Sequence, residues 1–259
     1  METLPVPKTL LGVARLLAFL GLAACTAPFV SSPMSSTSRL DSATSFIAGT
    51  FPQLSDSTQI TNQYLPMVPD TTYIYDGSKG RTPEQDTVYT THDTKTIIGI
   101  PCVIQIDTGY LNGKIVEKTF DYFAQDANGN VWYFGEYATQ YRNGKVTGHQ
   151  GSWISGKHKA QPGVVMEANP RVGDQNNQEN APRVAEDKAR VLSLTSSVHT
   201  NYVNYIGNVL ETKEFSPLDP PGSGEHKWYE PGIGFMKSED IHPGPQREVL
   251  SLTAIEDEK

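Results

Sequence analysis

The amino-acid sequence predicts an all-β protein: a large, curved antiparallel sheet or meander, able to close into a half-barrel, behind an N-terminal signal helix and a disordered tether. Three observations predict this fold class. Segments in which polar and apolar residues alternate recur along most of the chain. Asn-Gly pairs, which favour tight hairpin turns, separate several of these segments. After residue 60, no stretch of useful length has a helical hydrophobic period.

The predicted strands follow in order within one β domain, which we place at residues 59–259. The first strand is ended by a turn at Asp76-Gly77. Residues 96–107 predict one strand that is broken by a bulge at Gly99-Ile100-Pro101, because proline cannot donate a ladder hydrogen bond. The predicted strands are 71–75, 88–91, 96–107, 114–125, 130–141, 164–166, 189–194, 205–215, 226–229, 234–237 and 248–252.

The turn signals are the sharpest local evidence for hairpins. Asn112-Gly113 and Asn143-Gly144 predict two-residue turns, because both central residues of such a turn need positive φ. Residues 126–130 predict a slightly longer turn of the same kind. Residues 156–182 differ, being rich in proline, asparagine, glutamine and charge, and they predict a long loop that is functional or partly disordered.

Residues 1–24 have the pattern of a secretory signal peptide: a short basic start, an apolar stretch interrupted by Arg15, and small residues before a cut site. The apolar stretch is too short for a permanent membrane helix, which needs about 20 residues. Leu22-Ala23-Ala24-Cys25 resembles the lipobox of bacterial lipoproteins. That resemblance implies cleavage before Cys25, a diacylglycerol thioether on its sulfur and acylation of the new amine by a fatty acid such as palmitate. The alternative is an ordinary signal with a chance cysteine.

Residues 25–58 are rich in serine, threonine and proline, so they predict a flexible tether between lipid and domain. The chain carries a formal net charge of -8 and has no basic cluster, which argues against nucleic-acid binding. Of the two cysteines, Cys102 lies in an apolar strand-like run and is predicted to be a small core residue rather than a nucleophile.

Several motifs stand out between about residue 64 and residue 252, among them Asp121-Tyr122-Phe123-Ala124-Gln125-Asp126, Gly129-Asn130-Val131-Trp132-Tyr133-Phe134-Gly135-Glu136, Gly151-Ser152-Trp153 and Tyr229-Glu230-Pro231-Gly232-Ile233-Gly234. On these motifs the chain resembles an uncharacterised family of bacterial secreted and lipoprotein domains. The resemblance implies kinship of fold and carries over no activity. More loosely, the chain resembles carrier and sensor domains of the bacterial envelope, which wrap a curved sheet around an apolar groove.

Carboxylates are the candidates for acid–base chemistry, because two of them facing one cleft can hydrolyse a glycoside. No spacing in the sequence requires such a pair, and the simpler interpretation is that these groups satisfy loops and solvated strand faces. Glu214, beside Lys213, is then one half of a surface charge pair across strands. The histidines form no metal-spaced pair, so we expect no metal and no cofactor. The carboxylates considered are Glu136, Glu179, Glu186, Asp187 and Glu214.

Aromatic residues near the turns and the long loop are candidates for lining a sugar or peptide groove. The alternative is that they form the core of the sheet, with tyrosine hydroxyls at its rim. The ligand-binding candidates are Trp132, Phe134, Glu136, Trp153, Glu179, Glu186, Trp228 and Tyr229, and no catalytic residue is assigned.

These observations favour a non-enzymatic lipoprotein of the bacterial cell envelope, lipid-anchored at Cys25 on the extracytoplasmic side of a membrane. Its domain would bind an envelope protein, a small molecule or a glycan through the concave face and the 156–182 loop. Two alternatives remain open at this point. One is a hydrolase acting on envelope or extracellular polysaccharide, and the other is a carrier of lipid or lipoprotein.

Overall fold

A computed structural model describes residues 57–241 and 244–257, with residues 204–206 described through their backbone only. The predicted signal peptide, Cys25 and most of the predicted tether therefore lie outside the described residues. The described chain is all-β, as predicted, and forms one large antiparallel sheet. Within it there is no helix long and apolar enough to span a membrane.

The described residues contain fourteen strands. Their bounds are β1 Thr71–Lys79, β2 Thr82–Ile97, β3 Ile100–Leu111, β4 Lys114–Gln125, β5 Val131–Arg142, β6 Lys145–Gly148, β7 Trp153–Ile154, β8 Gly163–Met166, β9 Gln175–Asn177, β10 Lys188–His199, β11 Asn204–Phe215, β12 Glu225–Glu230, β13 Gly234–Asp240 and β14 Glu248–Asp257.

The sheet consists of two meanders, β1 to β6 and β9 to β14, which are joined where the first strand, β1, pairs with the last strand, β14. Its order is β6-β5-β4-β3-β2-β1-β14-β13-β12-β11-β10-β9, and β7 and β8 both pair with β5. The central pair is β1 with β14, which runs from Thr71 opposite Asp257 to Lys79 opposite Glu248. Every neighbouring pair is antiparallel, so short turns connect most of the strands.

The two predicted Asn-Gly turns are confirmed. Asn112 and Gly113 have φ of 50° and 71° between β3 and β4, and Asn143 and Gly144 have 51° and 72° between β5 and β6. The predicted bulge near Pro101 is instead a hairpin turn, because Ile98 and Gly99 both have positive φ between β2 and β3.

The predicted turn at Asp76-Gly77 is wrong, since β1 continues to Lys79. Gly77 does not form a turn; its missing side chain leaves room for the neighbouring strand β14. A Cβ at this position would lie 1.8 Å from the carbonyl oxygen of Val249 on β14.

The segment 156–182 joins the two ends of the curved sheet. Its strand β8 pairs with β5, and its strand β9 pairs with β10 at the far end of the sheet order. The backbone N–H of Gln161 donates to the carbonyl of Asn180 at 2.9 Å, which links the two parts of the segment. The segment therefore covers the gap between the ends of the sheet and helps to enclose an interior.

The interior is apolar at the end where the chain enters the domain. Phe123 stacks on Tyr133 with ring centroids 4.7 Å apart, and Trp153 meets Tyr133 edge-on at 5.4 Å. Residues 57–70 cover this end, where Asn62 donates its side-chain amide to the carbonyl of Gly129 at 2.8 Å. The apolar residues fill the space so well that a cavity of only about 10 Å³ remains among them. The opposite end of the interior has a different character.

Candidate functional site

Six buried carboxyl groups line the interior wall formed by β2 to β5, and we call them the acid cluster: Glu84, Asp86, Asp107, Glu117, Asp121 and Glu136. Each is at most 7% exposed. Side chains alternate between the two faces along a strand, so Asp121 lies on the same face of β4 as Phe123. The acid cluster therefore shares a face with apolar core residues.

Asp121 and Glu136 lie directly opposite each other on β4 and β5, and both contact the hydroxyl of Tyr133. The Tyr133 oxygen is 2.5 Å from Oδ1 of Asp121 and 3.1 Å from Oε2 of Glu136. Burial raises the pKa of Asp121 to about 7, and burial together with Asp121 raises the pKa of Glu136. Like charges opposite each other in a sheet repel, so this pair is stable when it shares protons.

Asp86 is fully buried, and neither of its carboxylate oxygens has a hydrogen-bond partner within the described part of the chain. The same is true of both oxygens of Glu84. Burial raises the pKa of Asp86, and Asp107 and Glu84 raise it further. An ionised carboxylate without partners is very costly to bury, so protonation is the way in which these groups stay in the fold.

The opposite wall of the interior supplies a buried cation. Lys227 on β12 is 1% exposed, and its Nζ lies 2.8 Å from Glu214 and 3.2 Å from Glu225. Burial lowers the pKa of Lys227, but the two carboxylates outweigh this effect and raise it. Burial, and then Asp121, raises the pKa of Asp107 on β3, and Lys227 opposes part of this rise, although β12 and β3 are far apart in the sheet order. The sheet is therefore curved enough to bring these walls face to face.

Glu214 was expected on the surface beside Lys213, and this expectation is wrong. Its side chain is buried, accepts a hydrogen bond from the hydroxyl of Tyr229 at 2.9 Å, and pairs with Lys227. The physical reason is register, because Glu214 lies opposite Glu225 on the interior face while Lys213 takes the other face.

A groove of about 650 Å³ on the outer face of the sheet is open to solvent. Its floor is formed by β12 and β13, where His226 and Trp228 alternate with the interior residues of β12. Ser197, Val198 and His199 of β10 line another side.

The bent hairpin of β10 and β11 creates this groove. Three register shifts interrupt the pairing of these strands, between Val191 and Ser197, and such bulges bend a hairpin. The backbone N–H of Tyr202 near the tip donates to the carbonyl of Leu252 on β14 at 3.2 Å. Because β12 and β13 lie between β11 and β14, the hairpin must cross them to make this contact.

Charged groups in the groove are arranged in pairs. Glu239 contacts both Lys237, at 2.7 Å, and Arg247. Nδ1 of His226 lies 2.7 Å from Glu211, whose other oxygen accepts a hydrogen bond from the hydroxyl of Ser196 at 2.5 Å. Partial burial, and then Arg247, lowers the pKa of Lys237.

The structure distributes the eight predicted ligand-binding residues over four places. Trp132 and Phe134 belong to an apolar cluster on the outer face with Cys102, where Trp132 donates its indole N–H to Asp126 at 2.9 Å. Burial raises the pKa of the Cys102 thiol, as fits a core residue.

The remaining six divide between the interior, a turn and the groove. Trp153 and Tyr229 are in the core, and Glu136 belongs to the acid cluster. Glu179 is buried and close enough to raise the pKa of Tyr133. Glu186 accepts the backbone N–H of Arg183 in a turn at 2.7 Å, and Trp228 lines the groove.

Sequence reasoning missed most of the acid cluster and the charged lining of the groove. The signal for the cluster was present, because Glu117, Thr119, Asp121 and Phe123 recur at every second position and a core phenylalanine ends the series. No comparable signal marks the groove, which depends on the bend of a distant hairpin.

No family model matches the chain, and no curated protein matches it. Two solved structures are similar to it. One is a candidate exported protein with a YmcC-like fold from Bacteroides fragilis, with 10% identity and a TM-score of 0.45 over 75% of this chain and 99% of that one. The other is a candidate lipoprotein from Parabacteroides distasonis, with 12% identity and a TM-score of 0.34 over 75% of this chain and 99% of that one. Likenesses of this degree say nothing about activity or ligand.

Proposed function

We propose that the chain is a lipid-anchored protein of the bacterial cell envelope, held through Cys25 on the extracytoplasmic side, and that its β domain binds a ligand without catalysing a reaction. The lipobox-like Leu22-Ala23-Ala24-Cys25 behind a signal-like segment supports the anchor. The groove beside Trp228 carries the binding half of the proposal, because it is open to solvent and within the usual size range of ligand sites, about 300–1,000 Å³.

The concave face is a poor place for a ligand. Its apolar end is filled around a cavity of about 10 Å³, and its other end holds the buried acid cluster. We therefore assign binding to the outer groove in place of the concave face. The filled interior also counts against a lipid carrier, which needs a continuous apolar groove.

The short separation of two carboxyl groups supports a hydrolase, but their burial from solvent and substrate does not. The contacts of Asp121 and Glu136 with one tyrosine hydroxyl bring two carboxyls within the spacing of about 5–10 Å that glycoside hydrolysis uses. Both carboxyls are buried, however, and a substrate must reach the acid that protonates it. Binding without catalysis is therefore the function that the geometry supports best.

The anchor is tested by palmitate labelling of cells that express the full chain, followed by intact-mass measurement of the membrane fraction. The wild type should carry label and the added mass of the acyl chains, and Cys25→Ala should carry neither. Cys102→Ala is the matched control, because it removes the other cysteine and should keep the label. Equal labelling of the wild type and Cys25→Ala would refute the anchor.

A further inference from the structure

We propose that the groove beside Trp228 takes a short, uncharged carbohydrate, with a sugar ring lying against the indole of Trp228 and its hydroxyls bound by His226 and the paired charges around it. This inference rests on the proposed binding function and names its ligand class. Four features of the groove lead to it: a held aromatic ring, an oriented imidazole nitrogen, balanced charge, and a floor without free backbone groups.

The indole of Trp228 is fixed by its neighbours before any ligand arrives. Nζ of Lys237 lies 5.3 Å from the ring centroid, and the ring of His226 lies 5.9 Å away at 31°. A ring held in this way loses little conformational entropy on binding. Because Lys237 lies over one face of the indole, the sugar is placed on the other face, where the weakly positive C–H groups of a sugar ring complement the negative face of the indole.

His226 offers a hydrogen-bonding nitrogen whose orientation is set. A carboxylate can only accept, so the contact of Glu211 with Nδ1 requires a proton on that nitrogen. Nε2 is the ring nitrogen that Glu211 does not engage. A sugar hydroxyl fits this nitrogen, because a hydroxyl can both donate and accept a hydrogen bond.

The charge balance of the groove favours a ligand without net charge. Lys237 and Arg247 both contact Glu239, and Asp240 adds a second carboxylate to the lining. The two cations of the lining are matched in number by its two carboxylates, and the carboxylate of Glu211 is engaged by His226, so no excess of positive charge is left to hold an anion, and the whole chain carries -8. The same groups offer donors and acceptors in close alternation, which is what neighbouring hydroxyls require.

The floor of the groove offers an extended peptide no strand edge to pair with. Extended peptides bind sheets by adding a strand at an edge, where rows of N–H and C=O groups are free. The floor here is the face of two strands that lie within the sheet, with β11 and β14 as neighbours, and residues 225–230 of β12 pair with β13 throughout. The backbone of the floor is therefore already engaged in the ladder.

The test is titration calorimetry of the full chain in detergent against neutral oligosaccharides of glucose, mannose, xylose and N-acetylglucosamine. At least one should bind, and Trp228→Ala should weaken that binding at least about tenfold. Tyr137→Ala is the matched control, because it removes an exposed aromatic ring of β5 outside the groove and should leave binding unchanged. Far-ultraviolet circular dichroism identifies any variant that fails to fold. If Trp228→Ala does not fold, Trp228→Phe replaces it, and we expect a smaller loss of binding.

The outcomes separate this inference from the proposed function. If no oligosaccharide binds, or if Trp228→Ala and Trp228→Phe bind as tightly as the wild type, the carbohydrate inference is overturned. Native mass spectrometry of the chain with short peptides of the kinds found in the bacterial envelope, and with small molecules other than nucleotides, then tests the wider proposal that the groove binds a ligand. An adduct that depends on Trp228 would keep the binding function and change its ligand class, and the absence of any such adduct would remove the binding function too.

Discussion

Replacing Glu84 by glutamine should stabilise the protein in alkaline solution and flatten the dependence of its stability on pH. Glu84 is 3% exposed, and neither of its carboxylate oxygens has a hydrogen-bond partner within the described residues. Burial, and then Glu248, raises its pKa to about 8 against the opposing charge of Lys79. Glutamine has nearly the same shape and never needs a proton.

The direction and size of the expected change in stability follow from the pKa of Glu84 in the unfolded chain and in the folded chain. The unfolded chain releases the proton of Glu84 near pH 4.5, whereas the folded chain keeps it up to about pH 8. The folded state binds more protons between these values, so its stability is full below pH 4.5 and is lost as pH rises to about 8. One such group costs about 1.4 kcal/mol for each pH unit. Glu84 alone therefore accounts for up to about 4–5 kcal/mol across the window, less what its neighbours absorb by sharing protons.

The measurement is urea unfolding followed by tryptophan fluorescence at steps from about pH 5 to about pH 8, where linkage predicts falling stability. Glu84→Gln should lose less free energy of unfolding per pH unit than the wild type by about 1.4 kcal/mol. Glu256→Gln, at an exposed position of β14, should have the slope of the wild type. The reasoning is refuted if wild-type stability rises through this range, or if Glu84→Gln keeps the wild-type slope.

Two further predictions concern Lys227 and Gly135. Lys227→Met leaves two buried carboxylates without their cation, which should cost about 3–5 kcal/mol at alkaline pH and clearly less in acid, where Glu225, whose pKa burial raises to about 8, takes up a proton; equal losses in urea unfolding at both pH values would contradict this. Gly135→Ala should cost about 2–3 kcal/mol, because φ is 134° and a Cβ would lie 2.4 Å from the carbonyl oxygen of Trp153. Gly244→Ala, where a Cβ meets nothing within 4 Å, is the control, and similar thermal midpoints for the two variants would argue against a strained approach at residue 135.

The sequence predicts the fold class and the hairpins because their signals are local. An Asn-Gly pair needs only its own two φ angles to form a turn, and both pairs form one. The strand predicted at residues 164–166 is likewise present as β8. Where a glycine serves a neighbouring strand, as Gly77 does, local reading mistakes it for a turn, because the strand that approaches it lies far along the chain.

The candidate sites are harder to predict because they depend on curvature. A carboxylate on a strand is normally assigned to solvent, and Asp86 and Asp107 become buried only because the sheet curls around them. The groove needs the register shifts of β10 and β11, which position Ser197 above a floor made by other strands. Trp228 was predicted as a ligand-binding candidate, but its partners His226 and Lys237 were not.

The central pairing of β1 with β14 has a consequence for how the molecule is made. The first and last strands of the described domain meet in the middle of the sheet, so β1 cannot gain its partner until β14, which begins at Glu248, has been synthesised. Until then the carboxyl groups of both walls face water, and the N-terminal meander, β1 to β6, has an unpaired edge at β1. A chain that stops before Glu248 therefore keeps that edge exposed for its lifetime, and we expect it to be recovered as aggregate or degraded fragment rather than as a smaller folded domain.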